Sequence, residues 1–298
     1  MANLGNDRNE VLQVSKPVFR SELKRLIDTY AEMDASVFFK LVHKAYDRAI
    51  NNLNPNSLIF YHIHNPNIYA ELNFVRLNTD ANWLIMVREP VQSLESWAGF
   101  SLRSNDHYGA AVTISTMLLQ IDNLIYKRQR SIGVRLEDLK IKPRKTIPAL
   151  CKWMGIEESE SLYEMTVQGK KWWGDQSSPD YLKDGMQPFG KTSIKRKVGS
   201  FFSKSDQFIL RTLFYPFSLR FGYINENAEK FKSDLESIRP MLDGLFDFEK
   251  AIIAKTGADP ELFMQSGSYL YLRSSLIERW DTLNKFGTYP NMISVLKI

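Results

Sequence analysis

Arg88-Glu89-Pro90-Val91-Gln92-Ser93-Leu94-Glu95-Ser96 combines side chains that can hold an anion. A guanidinium fork and a hydroxyl can clasp one phosphate between them. A helix opening at Pro90 would add free N–H groups and partial positive charge. The same residues also suit a structural role, with the arginine capping a carboxyl end and the serine facing water. His62 and His64 lie two positions apart, so an extended segment would turn both to one side. Glu137 and Asp138 can pass for an acid/base pair, yet at a strand-to-helix corner they more simply accept backbone N–H groups. Trp172 and Trp173 can stack on a planar ligand or pack beneath a loop. His43 and His107 read as packed or surface residues, and Cys151 as a buried, inert thiol. The histidine pair has no third ligand nearby in sequence, so no metal is expected.

These residues need elements to position them. Trp83-Leu84-Ile85-Met86-Val87 reads as a buried strand that delivers Arg88 at its carboxyl end. Ser57-Leu58-Ile59-Phe60-Tyr61 reads as a shorter strand leading to His62, and Ile132 to Leu136 as a third leading to Glu137. Helical spacing covers residues 20–53, where Asp34 or Ser36 can cap, and Tyr108 to Arg128. Thr146 to Trp153 reads as a helix closed by Gly155. Ser203-Lys204-Ser205-Asp206 opens another helix, which Pro216 breaks and Gly222 ends. Strands alternating with helices predict an α/β fold, with a parallel sheet as the middle of three layers. Ligands then bind beyond the carboxyl ends of the strands. Residues 226–298 read as further helices with apolar stripes at Leu235, Ile238, Leu242 and Leu245, then at Leu272, Leu276, Trp280 and Leu283. The expected organisation is an α/β domain over 1–225 and a helical C-terminal extension over 226–298 packed on it.

Composition fits this picture. The chain has 298 residues, of which 44% are hydrophobic and 24% charged, which excludes wholesale disorder. A single cysteine excludes an internal disulfide framework and a cysteine-based zinc cluster. No apolar run is long enough for a membrane helix. The polar start, MANLGNDRNE, shows no signal peptide, so a cytoplasmic location is expected. Net charge is +5, but residues 226–298 carry more acidic than basic groups, so the basic excess lies in 1–225. It gathers in runs such as Lys127-Arg128-Gln129-Arg130 and Lys195-Arg196-Lys197. Such runs suit an anionic ligand or simply a solvated surface. No zinc finger, RNP motif or basic zipper accompanies them, so no nucleic acid is expected.

Taken in order, the motifs resemble those of the sulfotransferases that use 3′-phosphoadenosine 5′-phosphosulfate. Trp83 to Trp97, WLIMVREPVQSLESW, is similar to that family's 3′-phosphate motif, a strand followed by Arg-x-Pro and a serine eight residues after the arginine. His62-Ile63-His64-Asn65-Pro66 is similar to the Lys/His-x-His-x-Pro segment upstream of it. GVRLEDLKIKPRKTIPALCKWMGI, Gly133 to Ile156, resembles the family's later strand–turn–helix. Lys195-Arg196-Lys197-Val198-Gly199-Ser200-Phe201-Phe202 with Phe221-Gly222-Tyr223 resembles its basic, glycine-containing segment and terminal Gly-Tyr. The resemblance covers about residues 57–223. It implies a P-loop-like sulfotransferase fold that moves a sulfuryl group from 3′-phosphoadenosine 5′-phosphosulfate, as co-substrate, to an acceptor hydroxyl or amine without a metal. Arg88, Ser96, Arg196 and Lys197 would hold the 3′-phosphate. His64 would take the acceptor proton, and His62 would stand where many relatives place a charge-stabilising lysine. The acceptor would be a small molecule, a carbohydrate or a lipid, and an oligomer is compatible with the pattern.

The chain departs from the family at the 5′-phosphosulfate loop. No Pro-x-Ser-Gly-Thr segment precedes His62, and no glycine lies between Gly5 and Gly99. The nearest candidate is Val11 to Ser21, with Lys16, Arg20 and Ser21, and without glycine a phosphate-cradling nest is hard to form. The expectation is therefore a fold lacking its first β-loop-α unit, from either a fragment or a diverged relative. The alternative to an enzyme is a non-catalytic relative that binds an anion or a partner. The lack of G-x-x-x-x-G-K-[ST] argues against a nucleotide kinase.

Overall fold

The computed structural model describes residues 2–298 except 56, 64–73, 75, 129, 175–186, 192–193 and 195–196. The chain divides into two compact units, Met1–Ala81 with Ser159–Pro188, and Asn82–Glu158 with Phe189–Ile298. Residues 226–298 belong wholly to the second unit, together with the parallel strands.

In the first unit β1 (Ala2–Leu4) and β2 (Glu10–Val11) form an antiparallel pair. Two helices follow, α1 (Lys16–Ile27) and α2 (Ala35–Ala49). Ser15 caps α1 at the Val18 N–H, and Asp34 caps α2 at the Val37 N–H. Leu26, Leu41 and Ala45 meet between them with Phe19 and Leu23, the apolar stripe that the spacing predicts. The helical stretch expected over 20–53 is two helices separated at 28–34, and of the two expected caps, Asp34 and Ser36, it is Asp34 that caps the second helix. Residues 57–61 form no strand. A strand needs a hydrogen-bonded neighbour; here Leu58, Phe60 and Tyr61 lie exposed instead of buried in a sheet.

The second unit carries the mixed α/β architecture. Strands β3 (Trp83–Val87) and β4 (Ser131–Arg135) pair in parallel, with Trp83 opposite Ser131 and Val87 opposite Arg135. Between them run α3 (Pro90–Arg103), α4 (His107–Gln120) and the short α5 (Ile125–Arg128). The single helix expected over 108–128 is split because Asn123 accepts the Ile125 N–H and restarts the helix. After β4 come α6 (Leu136–Ile141) and α7 (Pro143–Met154), the latter closed by left-handed Gly155. Helix α7 starts three residues before Thr146, whose buried hydroxyl bonds to the Asp138 and Lys142 carbonyls rather than capping.

The rest of this unit is helical: α8 (Lys204–Leu213), α9 (Tyr215–Arg220), α10 (Ala228–Ile238), α11 (Asp247–Thr256), α12 (Pro260–Met264) and α13 (Gly267–Phe286). Ser203 and Asp206 form the capping box expected for α8. One core unites Val91, Leu94 and Ile114 of α3 and α4 with Leu210 of α8, Ile238 of α10 and Leu276 of α13. A buried polar group also binds α11 and α13 to α4: Glu249 accepts from His107 Nε2 at 2.9 Å and pairs with Arg273. Past α13 the chain returns to the sheet. The Gly133 N–H donates to the Ser294 carbonyl at 2.7 Å, and the Leu296 N–H to the Gly133 carbonyl at 2.9 Å. Val295 thus bridges Gly133 in parallel.

Candidate functional site at the carboxyl ends of the parallel strands

Val87 ends β3 in the core, and Arg88 and Glu89 turn the chain into α3. Pro90 occupies the first turn, where its missing N–H costs nothing. The Glu89 carboxylate caps the helix at the Gln92 N–H, 2.6 Å away, and its other oxygen accepts from Arg211 of α8 at 2.8 Å. Arg88 lays its guanidinium back along the helix and donates to the Gln92 carbonyl at 3.0 Å. In an α-helix that carbonyl also meets the N–H four residues on, which is that of Ser96. The guanidinium is thus held against the turn of α3 that ends at Ser96. Both residues are half-buried.

The basic segment is brought to the same helix. Glu95 is buried, and its two oxygens accept the Gly199 N–H at 2.8 Å and the Phe201 N–H at 2.6 Å. Gly199 takes φ +116°, a conformation that side-chain-bearing residues rarely adopt. The Phe201 ring meets α3 again at Gly99, where an added Cβ would lie 3.3 Å from it. Lys197 stands exposed just ahead of this clamp.

The end of β4 is tied to the end of β3. Glu137 accepts the Glu89 N–H at 3.3 Å and the Tyr223 hydroxyl at 2.9 Å. Burial, then the Glu137 carboxylate, pushes the Tyr223 phenol far above its ordinary pKa, so it remains a donor. Arg135 lies over the Tyr223 ring, 4.7 Å from its centre, and its Nε is 3.5 Å from Asp138. Glu137 and Asp138 thus orient a corner, as their place in the sequence suggested.

Arg88 leads into α3, Ser96 lies on α3, and Lys197 precedes the segment that Glu95 of α3 holds. His62 is exposed in the first unit. His64 and Arg196 lie outside the described residues. Residues 11–21, the nearest stand-in for a phosphosulfate loop, form the end of β2, the Ser15 cap and the first turns of α1. Trp173 donates to the Gly5 carbonyl at 2.6 Å and carries Arg8 and Lys171 over its ring, so its faces serve the first unit itself. Glu95 escaped the sequence reading. Its only signal was a carboxylate on the buried stripe with Val91, Leu94 and Ala98, where an apolar residue belongs. Among the described residues no cluster of three His, Cys, Asp or Glu side chains could hold a metal, and no helix is long and apolar enough to cross a membrane. No protein-family model, curated protein or solved structure matches the chain.

Proposed function

We propose that the second unit binds the 3′-phosphate of 3′-phosphoadenosine 5′-phosphosulfate, as a sulfotransferase-like protein. One observation carries this reading: at the end of a parallel strand the Arg88 guanidinium is held at the Gln92 carbonyl, in the helix that carries Ser96. A phosphate there would meet a guanidinium fork, a hydroxyl and the first turn of α3, with Lys197 adding a point charge. The reaction such a site serves is in-line attack of an acceptor hydroxyl or amine on sulfur. In the sulfotransferases that the motifs resemble, a base takes the acceptor proton and 3′-phosphoadenosine 5′-phosphate leaves.

A second reading is a non-catalytic relative that keeps only the anion site. It is favoured by residues 11–21, which join an antiparallel pair and a helix without glycine rather than a phosphate-cradling loop. Calorimetry at low salt tests the shared part of both readings. Arg88→Ala should weaken 3′-phosphoadenosine 5′-phosphate by about 1.5–3 kcal/mol, the range for a hydrogen bond to a charged group. Adenosine 5′-phosphate, which lacks the 3′-phosphate, should be almost unaffected. Equal loss for both ligands would make Arg88 a fold residue. Turnover of the phosphosulfate donor with hydroxyl and amine acceptors then separates enzyme from binder.

A further inference from the structure

We infer that Glu95 is a positioning residue for the nucleotide site, acting by holding against α3 the segment that follows Lys197; the inference rests on the reading above. Glu95 neighbours Ser96 in sequence but turns inward, where both carboxylate oxygens are used by backbone N–H groups of the 197–202 segment. Burying a carboxylate is costly, and a leucine would fill a core position more cheaply. What a carboxylate does and a leucine cannot is collect amide N–H groups from a segment that has no strand or helix partner of its own. Its grip lies on residues 199 and 201, just after Lys197. On the far side Phe202 is sunk in the core and Ser203 caps α8, so the segment is anchored from Gly199 onward. The two N–H groups also offset the carboxylate's charge, which would otherwise oppose an anion at Ser96.

Removing the clamp should free Lys197 from its place, so the losses from Glu95 and Lys197 should overlap. The test is a double-mutant cycle read by calorimetry with 3′-phosphoadenosine 5′-phosphate at low salt. Glu95→Gln keeps the size but can accept well at only one oxygen. It should weaken binding by up to about tenfold, no more than the loss of Lys197 itself. Lys197→Ala should cost about tenfold in the wild-type background and under about twofold in Glu95→Gln, with the salt dependence falling in step. Amide exchange should quicken at Gly199 and Phe201 while α3 and α8 keep their protection. If Glu95→Gln does not fold, Glu95→Asp, which keeps the charge and shortens the reach, enters the same cycle. Full affinity in the Glu95 variant overturns the inference and leaves the nucleotide reading standing. A Lys197→Ala loss undiminished in the Glu95 background also overturns it, because Glu95 would then act through the fold alone. Absence of binding by the wild-type chain overturns the nucleotide reading itself, and the inference with it.

Discussion

Glu249 offers the sharpest test of how the helices after residue 226 are held. Its carboxylate is wholly buried. It accepts the Phe246 N–H at 2.8 Å and His107 Nε2 at 2.9 Å, and it pairs with buried Arg273. His107 passes the chain on to the Ser268 hydroxyl at 2.8 Å. Glu249→Ala would leave the Arg273 cation in the core without its carboxylate. Breaking one partner of a buried pair costs about 3–5 kcal/mol. The Phe246 N–H, also buried, loses its acceptor as well, which places the loss toward the upper end of that range. We expect a fall of about 3–5 kcal/mol in the stability of the second unit. The assay is urea unfolding followed by amide exchange in α4, α11 and α13, since a chain of two units need not melt in one step. Arg273→Met in the same background should restore part of the loss, because no buried charge then lacks a partner. A loss under about 1 kcal/mol, the value of an exposed pair, would mean that the network is solvated and does not bind these helices to α4.

Two further outcomes follow from packing. In Gly133→Ala the new Cβ would start 2.5 Å from the Phe221 ring, so strand or ring must move, and we expect a cost of about 1–3 kcal/mol in thermal or urea unfolding; unchanged stability would show that Phe221 has room to turn. Burial, then Glu158, raises the Cys151 thiol pKa, so its stabilising share is present below the unfolded value and lost as pH rises through the folded one. The native chain should resist a thiol reagent at pH 8 and react once urea unfolds it, whereas immediate labelling would place the thiol at the surface.

Much of the second unit was legible because local chemistry decides it. Trp83–Val87 is apolar on both faces, Pro90 suits only a first turn, Ser203 with Asp206 makes a capping box, and Gly155 takes the left-handed turn. The misreadings concern choices that a window of sequence does not hold. Residues 57–61 have strand composition, but a strand exists only where another edge accepts it. The break at 121–124 hinges on Asn123 bonding to the backbone, an option such residues always carry, whereas the Asp34 cap was legible. The place of Arg88 at the end of β3 and of Ser96 in the helix after it was legible. The role of Glu95 was not, because a glutamate on a helix looks the same whether it faces water or gathers two N–H groups from a segment about 100 residues further on.

The return of residues 293–296 to β4 bears on how the chain reaches its fold. Gly133 meets Ser294 across about 160 positions of sequence, a separation that makes the pairing late, since loop closure must precede any gain from it. During synthesis β4 would carry an open edge while every helix from α6 to α13 is being made. An open parallel edge is a template for pairing with another chain. Gly133, which offers no side chain to shield that edge and is later covered by the Phe221 ring, sits at its centre. Slow translation or a stall between residues 135 and 293 would lengthen the exposure. Yield of soluble protein should then depend more on chaperone supply and growth temperature than the stability of the finished fold would suggest.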